Sequence, residues 1–244
     1  VGAGGGLRVD SQVASQVELQ VDWVEMFSSF QGEGPHVGRS TLFVRLGGCD
    51  LRCAWCDSPG TWIPPTEARV ETERGSGRFE KAESPIAIET LVAHLERLEA
   101  GRHRFVSLTG GEPLLQPEAV VALADAAHRL GARVLLETHG LCTEAMAAVA
   151  PHVDVVSMDW KLASDVRRAS DPKGSTPEPF HDEHARFLEA ARAAGEVIVK
   201  VVVTADSREE ELDEVVRRLA AHPHPPVLVL QPVTPFGAVK ERVD

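Results

Sequence analysis

From residue 19 onward the chain alternates short apolar runs with amphipathic stretches. Val21–Phe30 and Thr41–Gly47 are rich in β-branched and aromatic residues, which predicts strands at both places. Phe105–Leu108, Val134–Leu136, Val153–Met158, Val197–Val203 and Val227–Leu230 are short, Val/Leu-rich and without polar alternation. That is the pattern of parallel strands buried on both faces. Between these runs apolar positions fall at helical spacing. Leu91, Leu95 and Leu98 form one stripe; Val120, Val121, Ala124, Ala127 and Leu130 form a second, which starts through Pro117 and stops at Gly131. Ala185, Leu188, Ala191 and Arg192 continue toward Gly195, and Leu212, Val215, Val216 and Leu219 close the series. Strand–helix alternation predicts an α/β fold with parallel strands and right-handed crossovers. With about six such units, a partial (β/α)6-type TIM barrel fits better than the eightfold barrel, which takes about 250 residues. Ligands in such a fold gather at the C-terminal ends of the strands.

Residues 1–18 are Gly-rich and then Ser/Gln/Val-rich without a sustained period, and read as a flexible tail on a single domain spanning 19–244. Residues 61–85, rich in Pro, Gly and alternating charge, read as a long loop insertion, either a solvated surface excursion or a functional, mobile segment. Val239–Asp244 reads as the first turns of a helix. With 25 Lys plus Arg against 37 Asp plus Glu, the net charge is −12, which disfavours a phosphate-tracking surface and so a nucleic-acid partner. No run approaches the ~18 apolar residues of a membrane span. Val1–Gly6 lacks a charged-then-apolar signal pattern, so a cytoplasmic location is expected. In a reducing compartment the four cysteines point to metal binding or chemistry before disulfides.

Cys49, Cys53 and Cys56 lie in Gly-Gly-Cys-Asp-Leu-Arg-Cys-Ala-Trp-Cys-Asp, just after a predicted strand. Soft sulfur ligands at this spacing select zinc, copper(I) or iron–sulfur. Structural zinc would want a fourth ligand, yet Cys142 stands 86 residues beyond Cys56 and reads as a buried residue at the start of a helix. Three thiolates on a four-iron cluster would leave one iron open to another ligand. Thr109-Gly110-Gly111-Glu112-Pro113 follows one predicted strand, Glu137-Thr138-His139-Gly140 the next, and Ser157-Met158-Asp159-Trp160-Lys161 the one after. Two glycines allow close backbone approach to a ligand, and a carboxylate such as Glu112 accepts from an ammonium. Each of these segments taken alone is also an ordinary polar strand end.

The C-x3-C-x2-C pattern, with Trp55 before the last cysteine, resembles the signature of the radical S-adenosylmethionine superfamily, and Gly110–Pro113 resembles its GGEP motif. The resemblance implies a 4Fe–4S cluster on Cys49, Cys53 and Cys56, with S-adenosylmethionine on the open iron. It further implies contacts to S-adenosylmethionine from Gly110, Gly111, Glu112, Glu137, Ser157 and Gln231, with Asp159 and Lys161 either joining them or simply pairing with each other.

Upstream stands Phe30-Gln31-Gly32-Glu33-Gly34-Pro35, then Arg45 four residues before Cys49. Gly32 and Gly34 flank an acid. Gln31 supplies a donor–acceptor pair and Glu33 two acceptors, a set that suits the amino and ring N–H edge of a pterin, although the same run also reads as a hairpin turn. Arg45 offers a bidentate hold on a carboxylate. Together with Phe43-Val44-Arg45-Leu46 and the cysteine loop, this segment resembles the 7-carboxy-7-deazaguanine synthase family of the queuosine and deazapurine pathway, over about Val24–Pro232. The resemblance implies a Mg²⁺-dependent ring contraction. A 5′-deoxyadenosyl radical takes hydrogen from carbon 6 of 6-carboxy-5,6,7,8-tetrahydropterin, the ring contracts, and ammonia leaves to give 7-carboxy-7-deazaguanine. S-adenosylmethionine is regenerated. Gln31, Gly32, Glu33, Gly34, Arg45 and Thr109 would bind the substrate. Ser58 takes the place where the family has a Mg²⁺-ligating Thr, which keeps the oxygen ligand and drops a methyl. A flavodoxin or ferredoxin donor and a homodimer are the family expectation. Two other readings compete: a radical activase acting on a partner protein, and a non-catalytic iron–sulfur protein.

Overall fold

In a computed structural model, residues 18–172 and 174–233 are described. Residues 1–17 of the expected tail (1–18) and the helix start at Val239–Asp244 lie outside them. Nine strands form one sheet: β1 (Trp23–Phe30), β2 (Ser40–Leu46), β3 (Glu67–Glu71), β4 (Phe79–Glu83), β5 (Phe105–Gly110), β6 (Arg133–Thr138), β7 (Val155–Asp159), β8 (Glu196–Val203) and β9 (Val227–Pro232). Their spatial order is β9-β8-β7-β6-β5-β2-β1-β3-β4. Strands β2 and β5 to β9 are mutually parallel, while β1 is antiparallel to β2. Crossovers run through α1 (Ile88–Arg97), α2 (Pro117–Arg129), α3 (Thr143–Val149), α4 (His181–Ala191) and α5 (Glu209–Ala220). Six parallel strands joined in this way are the α/β connectivity expected. Among the described residues the sheet is open, with β4 and β9 as its edges.

The main core lies between the helices and one face of the sheet. Leu42, Val44 and Leu46 of β2, Val106 and Leu108 of β5, Val134 and Leu136 of β6 and Val156 and Met158 of β7 pack against Leu91, Leu95, Leu123, Ala127, Met146 and Phe187 from α1 to α4. The opposite face departs from the expected apolar runs. Phe43 and Arg45, Thr109, Glu137, Ser157 and Asp159, Lys200 and Gln231 face a cavity instead, because strand residues two apart share a face.

Residues 61–85 are not a plain loop. β3 and β4 form an antiparallel hairpin that extends the sheet beyond β1, with Glu67 opposite Glu83 and Glu71 opposite Phe79. Its apolar alternation rests on Ala68 and Val70 alone, too little to register as a period. The burial of Glu71 is compensated locally: its carboxylate accepts from Ser28 N (2.9 Å) and Gly77 N (2.7 Å). α3 was absent from the apolar pattern because it is a seven-residue helix. Cys142 immediately precedes it, half-buried, with its thiol pKa pushed far up by burial.

Candidate active site

The C-terminal ends of the parallel strands, with β1, surround a cavity of about 520 Å³. Cys49, Cys53 and Cys56 line one wall, carried by the loop after β2 and by a short strand, Leu51–Cys53, which pairs antiparallel with Val166–Arg168. Burial pushes the Cys49 thiol up to about 11 and raises that of Cys53, where nearby Lys161 opposes the rise. Among the described residues the three sulfurs do not converge within 4.8 Å of one another, as a single tetrahedral ion would require. Trp55 lies on the same wall, with its indole Nε1 buried and without a hydrogen-bond partner among the described residues.

The GGEP loop contributes through backbone packing. A Cβ on Gly110 would lie 2.2 Å from Leu46 O, and one on Gly111 would lie 2.1 Å from Gly48 O. Gly110 also has φ +144°. The glycines thus let this loop press against the cysteine loop, where Glu112 N donates to Gly48 O (2.8 Å). Both glycines line the cavity. Glu112, an expected contact of S-adenosylmethionine, does not line the cavity; it is fully buried, and its carboxylate accepts from Leu114 N (3.0 Å), Thr138 Oγ1 (2.8 Å) and His139 N (2.7 Å). Three of the roughly four acceptor sites of this carboxylate are taken inside the protein, and its side chain has no exposed surface. His139 continues the strut. Its Nδ1 accepts from Leu141 N (3.2 Å), which assigns the proton to Nε2, and Nε2 donates to Asp50 Oδ1 (2.8 Å) in the cysteine loop.

Opposite the cysteines stands the Gln31–Gly34 segment. Gln31 Nε2 donates to Glu137 Oε1 (2.9 Å), and its Oε1 accepts from Glu33 N (3.1 Å). Glu137 also accepts from Ser107 (2.7 Å) and Thr109 (3.3 Å). The structure therefore groups Glu137 with the residues expected to bind substrate. Gln231 joins the same group, donating to Glu33 Oε1 at 2.8 Å. Gly32 lines the cavity; Gly34 sits behind it, at φ +62° in a 3-10 turn. Phe27 and Phe43 stack 5.3 Å apart beside Arg45 and give this end a flat apolar wall. Arg45 Nε donates to Glu25 Oε1 (2.8 Å), and Glu25 is held from its other oxygen by Arg69. Among the described residues no hydrogen bond engages the two terminal nitrogens of Arg45. Ser58 lines the cavity and donates to Asp57 Oδ1 (2.9 Å).

Asp159 and Lys161 pair at 2.6 Å, and Lys200, which sequence reasoning missed, joins them. The signal was present: Lys200 is the single charged side chain in Val197–Val203. Ser157 lines the cavity on the same strand as Asp159.

A cysteine triad, a strand-end glycine loop pressed against it and a cavity on the polar face of a parallel sheet belong to one class, and the Radical SAM superfamily matches residues 43–222. Within that class, the chain is 36% identical over 236 residues to the 7-carboxy-7-deazaguanine synthase of Thermococcus kodakarensis, covering 92% of this chain and 88% of that protein. It is 34% identical to the enzyme of the same name from Geobacter sulfurreducens, covering 87% and 82%. The crystal structure of QueE from Escherichia coli superposes with a TM-score of 0.58 at 25% identity, over 92% of this chain and 88% of that one. The chain is an enzyme of the radical SAM superfamily and belongs to its 7-carboxy-7-deazaguanine synthase family.

Membership brings a 4Fe–4S cluster and S-adenosylmethionine, and the residues present fit both. Three free thiols, Cys49, Cys53 and Cys56, line the cavity with Trp55, whose buried indole N–H has no hydrogen-bond partner among the described residues. Among the described residues no helix is long and apolar enough to cross a membrane.

Proposed function

We propose that the chain converts 6-carboxy-5,6,7,8-tetrahydropterin to 7-carboxy-7-deazaguanine with loss of ammonia, as a single cytoplasmic domain. The observation that carries this reading is the pairing of Gln31 with Glu137 and of Glu33 with Gln231 on the lining of a cavity that Arg45 and the three cysteines also line. That arrangement supports a donor–acceptor edge for the pterin ring at one end and the radical source at the other. When bound, the cluster and S-adenosylmethionine supply a 5′-deoxyadenosyl radical.

The chain's own residues orient the substrate. Gln31, Glu33 and Glu137 accept from and donate to the pyrimidine edge, Thr109 reaches the same spot from β5, and Phe27 and Phe43 cover the ring. The open terminal nitrogens of Arg45 take the 6-carboxylate bidentately. Ser58 and Asp57 present neighbouring hard oxygens, which suits a Mg²⁺ ion that keeps most of its waters. Gly110, Gly111, Ser157, Asp159 and Lys161 receive S-adenosylmethionine, with Trp55 beside it. Gly34 and Glu112 serve by shaping the loops. A flavodoxin or ferredoxin donor and a homodimer complete the reading.

Anaerobic reconstitution with iron and sulfide, followed by dithionite, S-adenosylmethionine, Mg²⁺ and 6-carboxytetrahydropterin, tests it by mass spectrometry. The expected result is 7-carboxy-7-deazaguanine without any protein partner. Release of 5′-deoxyadenosine alone would move the substrate elsewhere, toward an activase; neither compound from a loaded cluster would leave a non-catalytic iron–sulfur protein.

A further inference from the structure

One charged side chain in the cavity, Lys200, has no place in the roles above. Lys200 is the lone charge in an otherwise Val/Ile-rich stretch of β8, and strand register puts it directly beside Asp159 of β7. Its side chain is 14% exposed, and its ammonium donates to Glu33 Oε2 (2.5 Å) and lies 3.1 Å from Asp159 Oδ1. Glu33 Oε1 accepts from Gln231 (2.8 Å), so both oxygens of Glu33 are held. Asp159 Oδ2 accepts from Lys161 (2.6 Å), whose ammonium sits 4.4 Å over the Trp55 ring. The signs alternate from the Gln31–Gly34 segment to the cysteine loop: Glu33, Lys200, Asp159, Lys161.

A cation this buried persists only between its counter-charges, and removing one partner of such a pair costs far more than the pair contributes. Among the described residues the Lys200 side chain pairs only with Glu33 and Asp159. What it does supply is a fixed seat for the Glu33 carboxylate, which is 39% exposed and would otherwise turn into solvent from a single amide tether. Fixing an acceptor before its ligand arrives removes an ordering cost from binding.

We propose that Lys200 is a positioning residue: it holds Glu33 over the cavity for the substrate edge and ties it through Asp159 to Lys161 beside Trp55. The inference rests on the reading that a pterin edge meets Glu33. The test is a double-mutant cycle on the full chain with Lys200→Met, Glu33→Gln and the pair, binding 6-carboxypterin followed by calorimetry. Lys200→Met weakens binding about tenfold when Glu33 is present. In the Glu33→Gln background the same change costs less than about twofold, because the group it positions is gone. Lys200→Arg recovers most of the affinity, which a merely structural role would not require. If Lys200→Met fails to fold by circular dichroism, Lys200→Gln replaces it in the cycle. Equal losses in both backgrounds, or no loss in either, would overturn the proposal while leaving the pterin reading intact. A folded wild-type chain that does not bind 6-carboxypterin at all would overturn both.

Discussion

Replacing Glu112 with Ala separates two roles for the GGEP acid. If the carboxylate met S-adenosylmethionine, its loss would weaken that ligand and leave the ligand-free fold unchanged. The structure places it elsewhere, fully buried and accepting from two backbone N–H groups and the Thr138 hydroxyl. The hydroxyl can rotate to another partner, but Leu114 N and His139 N cannot. Each orphaned buried donor costs about 1–3 kcal/mol, and hydrogen bonds to a charged acceptor lie at the upper end. The total is then about 3–5 kcal/mol, a large share of the 5–15 kcal/mol that holds a typical domain together. At about 2–4 °C per kcal/mol for a chain of this length, the melting temperature should fall by roughly 6–20 °C. Thermal unfolding of the ligand-free protein by far-ultraviolet circular dichroism reads this directly, and Glu112→Gln, which keeps one acceptor, should fall between. A Glu112→Ala protein that melts within about 2 °C of wild type but no longer binds S-adenosylmethionine would refute the structural role.

Cys53→Ala should reduce reconstituted iron to the adventitious background, by iron assay and absorbance; full loading in that variant would remove Cys53 from the ligand set. Gly111→Ala forces a Cβ to 2.1 Å from Gly48 O, so the cysteine loop must move, and destabilisation of about 2 kcal/mol or more is expected in urea unfolding. Normal stability and normal cluster content together would show that the two loops are not in contact. Burial holds His184 down to about 3, with Nδ1 donating to Gly140 O and Nε2 accepting from Lys161 N. Its folded value lies below its unfolded one, so protonation favours unfolding. Stability present above about pH 6.5 declines as pH falls toward 3, with a slope of about 1.4 kcal/mol per pH unit from this residue. His94, His103 and His181, also lowered by burial, act in the same direction. In His184→Gln the urea stability slope between about pH 6 and 4 should lose close to one proton; an unchanged slope would mean that His184 titrates normally.

The parallel strands and most crossovers were legible in the sequence because burying both ends of a βαβ unit demands continuous apolar runs and 3.6-residue periods. The hairpin β3–β4 was not, since the apolar residues it fully buries are Ala68 and Val70 alone and a third buried position, Glu71, is charged. α3 escaped for the same reason, its short length carrying little periodicity. Within the site, the cysteine spacing and the Gln31–Gly34 segment were readable as local strings, because each function there is built from consecutive residues. Lys200 belongs with Asp159 only through the β7–β8 register, and Gln231 reaches Glu33 from 198 residues away.

The chain's sequence by itself determined the class of chemistry: three thiols at fixed spacing and a glycine pair at a strand end can be read without coordinates. Only the tertiary structure decided which side chains share the cavity. It turned Glu112 away into a buried strut, joined Glu137 and Gln231 to the Gln31–Gly34 segment, and set Lys200 between Glu33 and Asp159. The physical reason is that hydrogen-bond and ion-pair partners are chosen at about 3 Å, a distance fixed by strand register and loop packing and not by separation along the chain.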